Sequence, residues 1–263
     1  MIRKRLKYWL YGKCPGFAGS FPYYGTRVHF PKDSISFRAA CEQGIFEADN
    51  VRLLQNLVKP NTTYFDIGAN IGLMAIPILH GCSNCLVVSF EPSPNILPYL
   101  QRTVSESRFK NRWSIVPRAL SDTQRQAEFH LASKELSMFD GLRDTRRVTI
   151  SRTVTVEVST LDAEWSTLGR PVVSVIKCDV EGNELAILRG AGFLLERDRP
   201  FVLMELNRDN LRAYEYDPTE ILTFSSSNGY RLFALPQIVE VSSPLELTLQ
   251  MTLTESFLLA PSE

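Results

Sequence analysis

The chain has 263 residues, 44% hydrophobic and 22% charged, with 29 basic residues balanced by 29 acidic ones. This suits one α/β domain with decorations better than two full domains, and zero net charge excludes bulk attraction to nucleic acid or acidic polymers. No apolar run reaches the ~20 residues that a membrane span needs. Gly12, Pro15 and Gly16 break the first segment before a secretory apolar region can form, so the expected compartment is the cytoplasm.

Residues 1–45 are rich in Gly, Pro and aromatics, lack a clear period, and read as an N-terminal extension on a main domain spanning 46–263. Arg3, Lys4, Arg5, Lys7 and Lys13 interleave with Leu6, Tyr8, Trp9, Leu10 and Tyr11, with no acid before Asp33. Two readings follow for residues 1–13: a weak anchor to an anionic membrane surface or sugar-lipid, and a packed arm with a solvated face. The five cysteines are odd in number and sparse, as reduced thiols are. Cys82 and Cys85 have CxxC spacing without a second pair or a histidine nearby, which is weak support for metal or redox chemistry.

From residue 47 the pattern becomes regular. Val51, Leu54, Leu57 and Val58 predict a helix, and Thr63–Ile67 predicts a short buried strand entering a glycine-bearing turn. A helix is expected over Ile71–His80 despite Pro77, then a strand over Leu86–Phe90, a helix over Pro94–Val104 and a strand over Trp113–Ala119. Residues 122–170 read as an insertion: two period-two strands, Ala127–Leu131 and Thr153–Val158, joined by a long mobile loop carrying Arg143, Arg146, Arg147 and Arg152. Alternation resumes with a central strand over Val172–Cys178, a helix over Glu184–Arg189, a strand over Phe201–Leu206 and a helix over Pro218–Ser227. Tyr230–Leu235 and Ser256–Leu259 complete the sheet as an antiparallel edge pair.

Two constellations mark a cofactor site. Asp66, Ile67, Gly68, Ala69, Asn70, Ile71 and Gly72 lie where a strand turns into a helix, the place where open α/β sheets bind ligands. Glu91 ends the next strand, about 20 residues past that turn, an offset suited to a ribose diol. Together they imply a cofactor containing a nucleoside. A dinucleotide needs a second glycine where Asn70 stands and no acid near its pyrophosphate, whereas S-adenosylmethionine is cationic and tolerates Asp66.

In these stretches the sequence resembles the FkbM family of methyltransferases. The match includes Tyr64 to Gly72, Ser89 to Asn95, Ala119 to Asp122, Ser159 to Asp162, Ile176 to Glu184 and Leu188 to Ala191. The resemblance implies a Rossmann-like class I methyltransferase fold with a seven-stranded mixed sheet flanked by helices. It also implies that Asp66, Gly68 and Asn70 line the methionine part of S-adenosylmethionine, Glu91 holds the ribose, and Ala119 and Leu120 border the adenine. The family is associated with O-methylation of sugars, polysaccharides and polyketide-type products.

Methyl transfer to a hydroxyl needs alignment and a base. Asp179, Glu181 and Glu184 cluster at the end of the central strand, and Glu205 ends the next one. Asp179 is a candidate for the methionine amine, for the base, or for both; Glu181 and Glu205 are the other candidate bases, and Glu184 reads as structural at a helix start. Crowded carboxylates raise one another's pKa, and they also suit Mg²⁺; the sequence leaves both options open. Of the three histidines, His130 is the best candidate base if the inserted loop folds over the site. The expected activity is O-methyl transfer to a glycan or small-molecule hydroxyl, with no nucleic-acid partner. The rivals are an NAD(P)-dependent oxidoreductase and a cofactor-binding protein without catalysis, and the oligomeric state stays open.

Overall fold

The computed structural model describes residues 2–262, with side chains from Lys4 onward. The extension, aperiodic in sequence, forms α1 (Ile2–Lys13), the hairpin β1 (Ser20–Tyr23) and β2 (Thr26–His29), and α2 (Ile35–Gln43). Its aromatic rings explain why: Phe30 stacks on Phe37 with centroids 3.9 Å apart, and Phe21 packs edge-on to Phe30 at 5.7 Å. These rings belong to the same apolar cluster as the main domain's Leu54, Tyr64 and Val87, so the extension shares that core. Ring burial, which has no sequence period, replaces periodicity as the organising signal.

Then come α3 (Ala48–Leu57), β3 (Thr63–Ile67), α4 (Ala75–Gly81), β4 (Leu86–Phe90), α5 (Leu97–Glu106) and β5 (Trp113–Val116). The expected helix over Ile71–His80 starts only at Ala75, because Asn70 and Gly72 take positive φ of 49° and 86°. Pro77 therefore falls in the first turn, where a missing N–H leaves nothing unpaired and no kink is needed. The strand expected over Trp113–Ala119 stops at Val116, and Ala119–Leu120 becomes β6 of a separate sheet.

That sheet has the order β6–β8–β7, where β7 is Arg125–Leu131 and β8 is Arg152–Ser159, paired antiparallel as the period-two pattern predicts. Beyond it lie α6 (Leu161–Thr167), β9 (Val173–Cys178), α7 (Glu184–Arg189), α8 (Gly192–Asp198), β10 (Phe201–Glu205), α9 (Arg208–Ala213) and α10 (Glu220–Ser227). The chain ends with β11 (Tyr230–Ala234), β12 (Val239–Val241), α11 (Pro244–Gln250) and β13 (Ser256–Pro261).

The main sheet runs β12–β11–β13–β10–β9–β3–β4–β5. Strands β5, β4, β3, β9 and β10 are parallel, and β13, β11 and β12 pair antiparallel. The expected seven strands are present, with the short β12 added as an eighth. The expected edge pair is corrected in position: β13 inserts between β10 and β11, so β12 forms the edge. Strand side chains alternate between two cores. Tyr64, Val87, Val175 and Leu203 face the side of α2 to α5, while Phe65, Val88, Ile176 and Met204 face the side of α6 to α11. From β3 the chain winds outward through β4 and β5, then returns to β9 on the other flank. This reversal opens a crevice at the carboxyl ends of β3 and β9.

Candidate active site

Period two continues to the strand ends and places Asp66 of β3, Lys177 of β9 and Glu205 of β10 on the sheet face that carries Tyr64, Val175 and Leu203. Asp66 and Lys177 are direct partners in the parallel pairing. Lys177 is fully buried, and its Nζ donates to the carbonyl of Gly68 at 2.9 Å and lies 3.1 Å from Asp179 Oδ2 and 4.0 Å from Asp66 Oδ1. Burial alone would lower the Lys177 pKa, but Asp179, Asp66 and Glu47 outweigh it and hold the ammonium well above its ordinary range. Asp66 is fully buried and has no hydrogen bond of good geometry. Burial raises its pKa, Lys177 resists, and Asp179 and Glu47 add to the rise, which reaches about 6.

Gly68 turns the chain at φ 74°, and a Cβ there would lie 1.8 Å from the carbonyl oxygen of Asp179. The two strand ends touch at this glycine. Gly72 is placed differently from Gly68, Ala69 and Asn70, which line the cleft. A Cβ on Gly72 would meet the Trp113 indole at 2.8 Å, so it serves packing, not a ligand. Glu91 directly follows β4, which lies next to β3 as the cofactor reading requires. Its two oxygens each accept one backbone N–H, from Asn70 at 2.8 Å and Ser93 at 2.8 Å. A carboxylate oxygen has a further lone pair, so two acceptor sites remain at the cleft wall. Burial, only partly offset by those two bonds, raises the Glu91 pKa to about 7.

Asp179, Glu181 and Glu205 each offer a carboxylate oxygen, all within 4.8 Å of one another. Burial and the neighbouring Asp179, Glu181 and Glu184 push the Glu205 pKa far upward, so Glu205 holds a proton at neutral pH. Glu181 sits at φ 61°, held there by Arg147 Nη1 at 2.7 Å and Asn210 Nδ2 at 2.9 Å. Burial and Asp179 raise its pKa to about 8 against the pull of Arg147. Glu184 lies outside the cleft and accepts from the N–H groups of Val180 at 2.9 Å and Gly182 at 3.2 Å. It braces the loop, in keeping with a structural role.

The predicted mobile loop is anchored. Asp140 accepts from Ser93 Oγ at 2.5 Å and from the N–H of Ala132 at 2.8 Å, and Gly141 bridges His130. Ser137 to Leu142 thereby covers the cleft, and Arg147 lies 4.8 Å over the Phe139 ring. His130 makes the bridge with its backbone and does not line the cleft. Cys82 and Cys85 are free thiols in a turn whose carbonyls accept from Arg112 at 2.8 and 2.9 Å, a structural arrangement.

The cleft holds a cavity of about 150 Å³ and opens to solvent. Phe90, Ala119 and Leu120 supply an apolar wall, Glu91 its acceptors, and Asp179 and Glu47 negative charge beside the glycine turn. This donor set fits a flat base, a diol and a cationic amino acid moiety. Sequence reasoning missed Lys177, Glu47 and Asp140. Lysine in an apolar strand carried a signal, since an unpaired ammonium does not belong there; the other two had none.

The parallel core, the antiparallel addition and this cleft define a Rossmann-like class I methyltransferase. The sequence profile of the methyltransferase FkbM domain matches residues 66–232, and the chain belongs to that family. The family implies S-adenosylmethionine as cofactor and sets aside the oxidoreductase reading. The hexuronic acid methyltransferase AglP of Haloferax volcanii is 24% identical over 164 residues, covering 61% of this chain and 62% of that protein. The chain thus matches less than two thirds of that relative's length. Among solved structures, a methyltransferase FkbM from Methylobacillus flagellatus KT is similar at TM-score 0.48 and 14% identity, covering 86% of this chain and 54% of that one. An O-methyltransferase from Klebsiella pneumoniae, described as putative, is similar at TM-score 0.48 and 11% identity, covering 82% and 80%. Among the described residues, no helix is long and apolar enough to cross a membrane.

The buried acids set a pH dependence. Glu91, Glu184 and Glu181 have folded pKa values of about 7, 7 and 8, above the ordinary 4.5. The folded state therefore holds protons that the unfolded chain has released, and stability falls as pH rises through that range. Between pH 6 and 8, Glu91 and Glu184 each account for a loss of about 1 kcal/mol. The cofactor-free chain is expected to melt at a higher temperature at pH 6 than at pH 8; a higher melting temperature at pH 8 would refute the assignment.

Proposed function

We propose that the chain transfers a methyl group from S-adenosylmethionine to a hydroxyl oxygen of a sugar, with a glycan bearing a hexuronic acid as the leading acceptor. The observation that carries this reading is the Asp179–Glu181–Glu205 cluster, which opens into the same cleft as Glu91 and the glycine turn. The bound cofactor supplies an electrophilic methyl group on a sulfonium.

Glu91 holds the ribose through its two remaining acceptor sites, and Phe90, Ala119 and Leu120 exclude water from the base. Asp179 is fixed by Lys177 at 3.1 Å, so its carboxylate does not need to reorganise. Asp179, beside the protonated Glu205, accepts the hydroxyl proton as the oxygen–carbon bond forms and the carbon–sulfur bond breaks, which releases S-adenosylhomocysteine. Glu181 is occupied by Arg147 and Asn210 and positions the acceptor. Arg147 at the cleft wall also provides a cation for an acidic sugar. A Mg²⁺ ion would lower the pKa of the acceptor hydroxyl, but the three carboxylates do not fit one, since Glu205 is protonated, Glu181 is held by Arg147 and Asp179 by Lys177. Lys177 already supplies a buried cation, so chelation with EDTA is expected to leave turnover unchanged. The name of the Haloferax volcanii relative supports the sugar class.

The test incubates the chain with methyl-labelled S-adenosylmethionine and a glycan pool. Label is expected in an alkali-stable methoxy group; alkali-labile label would place the methyl on a carboxyl group, and no label on any acceptor would overturn the enzymatic reading. Asp179→Asn removes the accepting carboxylate and is expected to lower kcat about 10²- to 10⁴-fold, whereas Glu205→Gln, which mimics the protonated acid, should cost less and keep the thermal shift produced by S-adenosylhomocysteine.

A further inference from the structure

We propose that α1 is an interfacial docking element for an anionic lipid bilayer. One face of the helix is already occupied: Tyr8 stacks on Phe37 with centroids 5.6 Å apart, Gly12 abuts the same ring, and Tyr11 packs against the core. With about 3.6 residues per turn, Leu6, Trp9 and Lys13 share the opposite face and Arg5 flanks it. Leu6 is 57% exposed and Trp9 53%, and Phe17, just past the helix, is 56% exposed. Lys4, Arg5 and Lys13 are exposed and have no carboxylate partner among the described residues. Met1 and the side chain of Arg3 lie outside the described residues.

Apolar side chains with basic ones around them, and no acid before Asp33, match the chemistry of an anionic membrane surface. Trp and Leu enter the boundary between headgroups and acyl chains, and the cations meet lipid phosphates. A second copy of this chain fits poorly, because it would bring the same positive charges face to face. The helix packs on α2, whose Ser36 lines the cleft, so α1 stands between the bilayer and the element that borders the cleft. Binding of lipid requires no methyl transfer, so this inference stands or falls apart from the proposed activity.

The other two tryptophans, Trp113 and Trp165, are each 3% exposed, so a change in intrinsic emission reports Trp9. The full chain is mixed with vesicles of phosphatidylcholine alone and with vesicles in which phosphatidylglycerol replaces about a third of it. We expect a blue shift and cosedimentation with the anionic vesicles, at least about tenfold stronger than with the neutral ones. Leu6→Glu, which keeps the Trp9 reporter, should weaken both signals, and Leu6→Glu with Trp9→Glu should abolish cosedimentation while the circular dichroism stays unchanged, since both side chains are exposed. Lys4→Gln, Arg5→Gln and Lys13→Gln together should weaken partitioning roughly a hundredfold, at about fivefold per charge, and added salt should act in the same direction. Absence of preference for the anionic vesicles, or partitioning that survives both sets of substitutions, overturns the proposal. So does a dimer in sedimentation velocity that the Leu6→Glu, Trp9→Glu variant dissociates without any vesicle binding.

Discussion

Lys177→Met is expected to destabilise the chain by about 3–5 kcal/mol and to abolish the thermal shift with S-adenosylhomocysteine. The ammonium lies between Asp66 and Asp179, and both it and Asp66 are fully buried. Methionine fills the space but leaves two neighbouring carboxylates without a cation in a low-dielectric site. Asp66, already raised by burial, then favours its protonated form still more strongly, because Lys177 no longer opposes the rise. The cost is therefore largest above neutrality and shrinks as pH falls toward the ordinary carboxylate pKa, where the unfolded chain takes up the same protons. Chemical denaturation at pH 5 and pH 8 checks both the size and the trend. A loss below about 1 kcal/mol at pH 8 would mean that Lys177 is neither charged nor coupled to the two acids.

Gly68→Ala should be nearly as damaging for a different reason. The residue adopts φ 74°, and the added Cβ would sit 1.8 Å from the Asp179 carbonyl oxygen, a backbone atom that cannot rotate away. Left-handed strain of about 1 kcal/mol and overpacking of about 1–3 kcal/mol both oppose the substitution, and the strand ends must separate to admit it. The expected result is a loss of about 2–4 kcal/mol, with the affinity for S-adenosylhomocysteine reduced by at least about tenfold through displacement of Asp179. Gly192→Ala is the control: it has no neighbour within 4 Å of an added Cβ and opens α8, so it should be neutral or slightly stabilising. If both variants melt alike, the contact between β3 and β9 does not limit the site.

Several matching motifs hold the scaffold rather than face the cleft. Asp162 accepts from the N–H groups of Phe193 and Leu194 at 2.9 Å each, tying α6 to α8. A Cβ on Gly190 would lie 2.3 Å from the Ser121 carbonyl, so the glycine lets the return from α7 pass beside β6. The side chain of Asn183 donates to Leu120 O at 2.8 Å, fixing the apolar wall relative to the acid loop. These residues set the distance between the base-facing wall and the carboxylates, which alignment of two reactants requires.

Much of this molecule was legible locally. Period-two and helical patterns marked β3, β4, β7, β8, β9 and β10 to within a residue or two, because an apolar face must be buried whatever the partner is. The turn at Gly68 and the acid at Glu91 were legible for the same reason: backbone geometry and strand ends are short-range properties. The extension was not, because its stability comes from Phe21, Phe30 and Phe37 meeting across a hairpin and a helix. A partner dozens of residues away leaves no mark on the local pattern.

By itself the sequence determined the strand–turn–helix, the acidic strand ends and the family to which they belong, since each is written in contiguous residues. Tertiary structure alone decided which groups meet. It put Lys177 against Asp66 through strand register, gathered Glu205 to Asp179 and Glu181, pinned the cover with Asp140, and gave Gly72 to Trp113 instead of to a ligand. The physical reason is that charge coupling and steric exclusion act over a few ångströms in space, while the residues involved are separated along the chain and brought together only when the sheet closes.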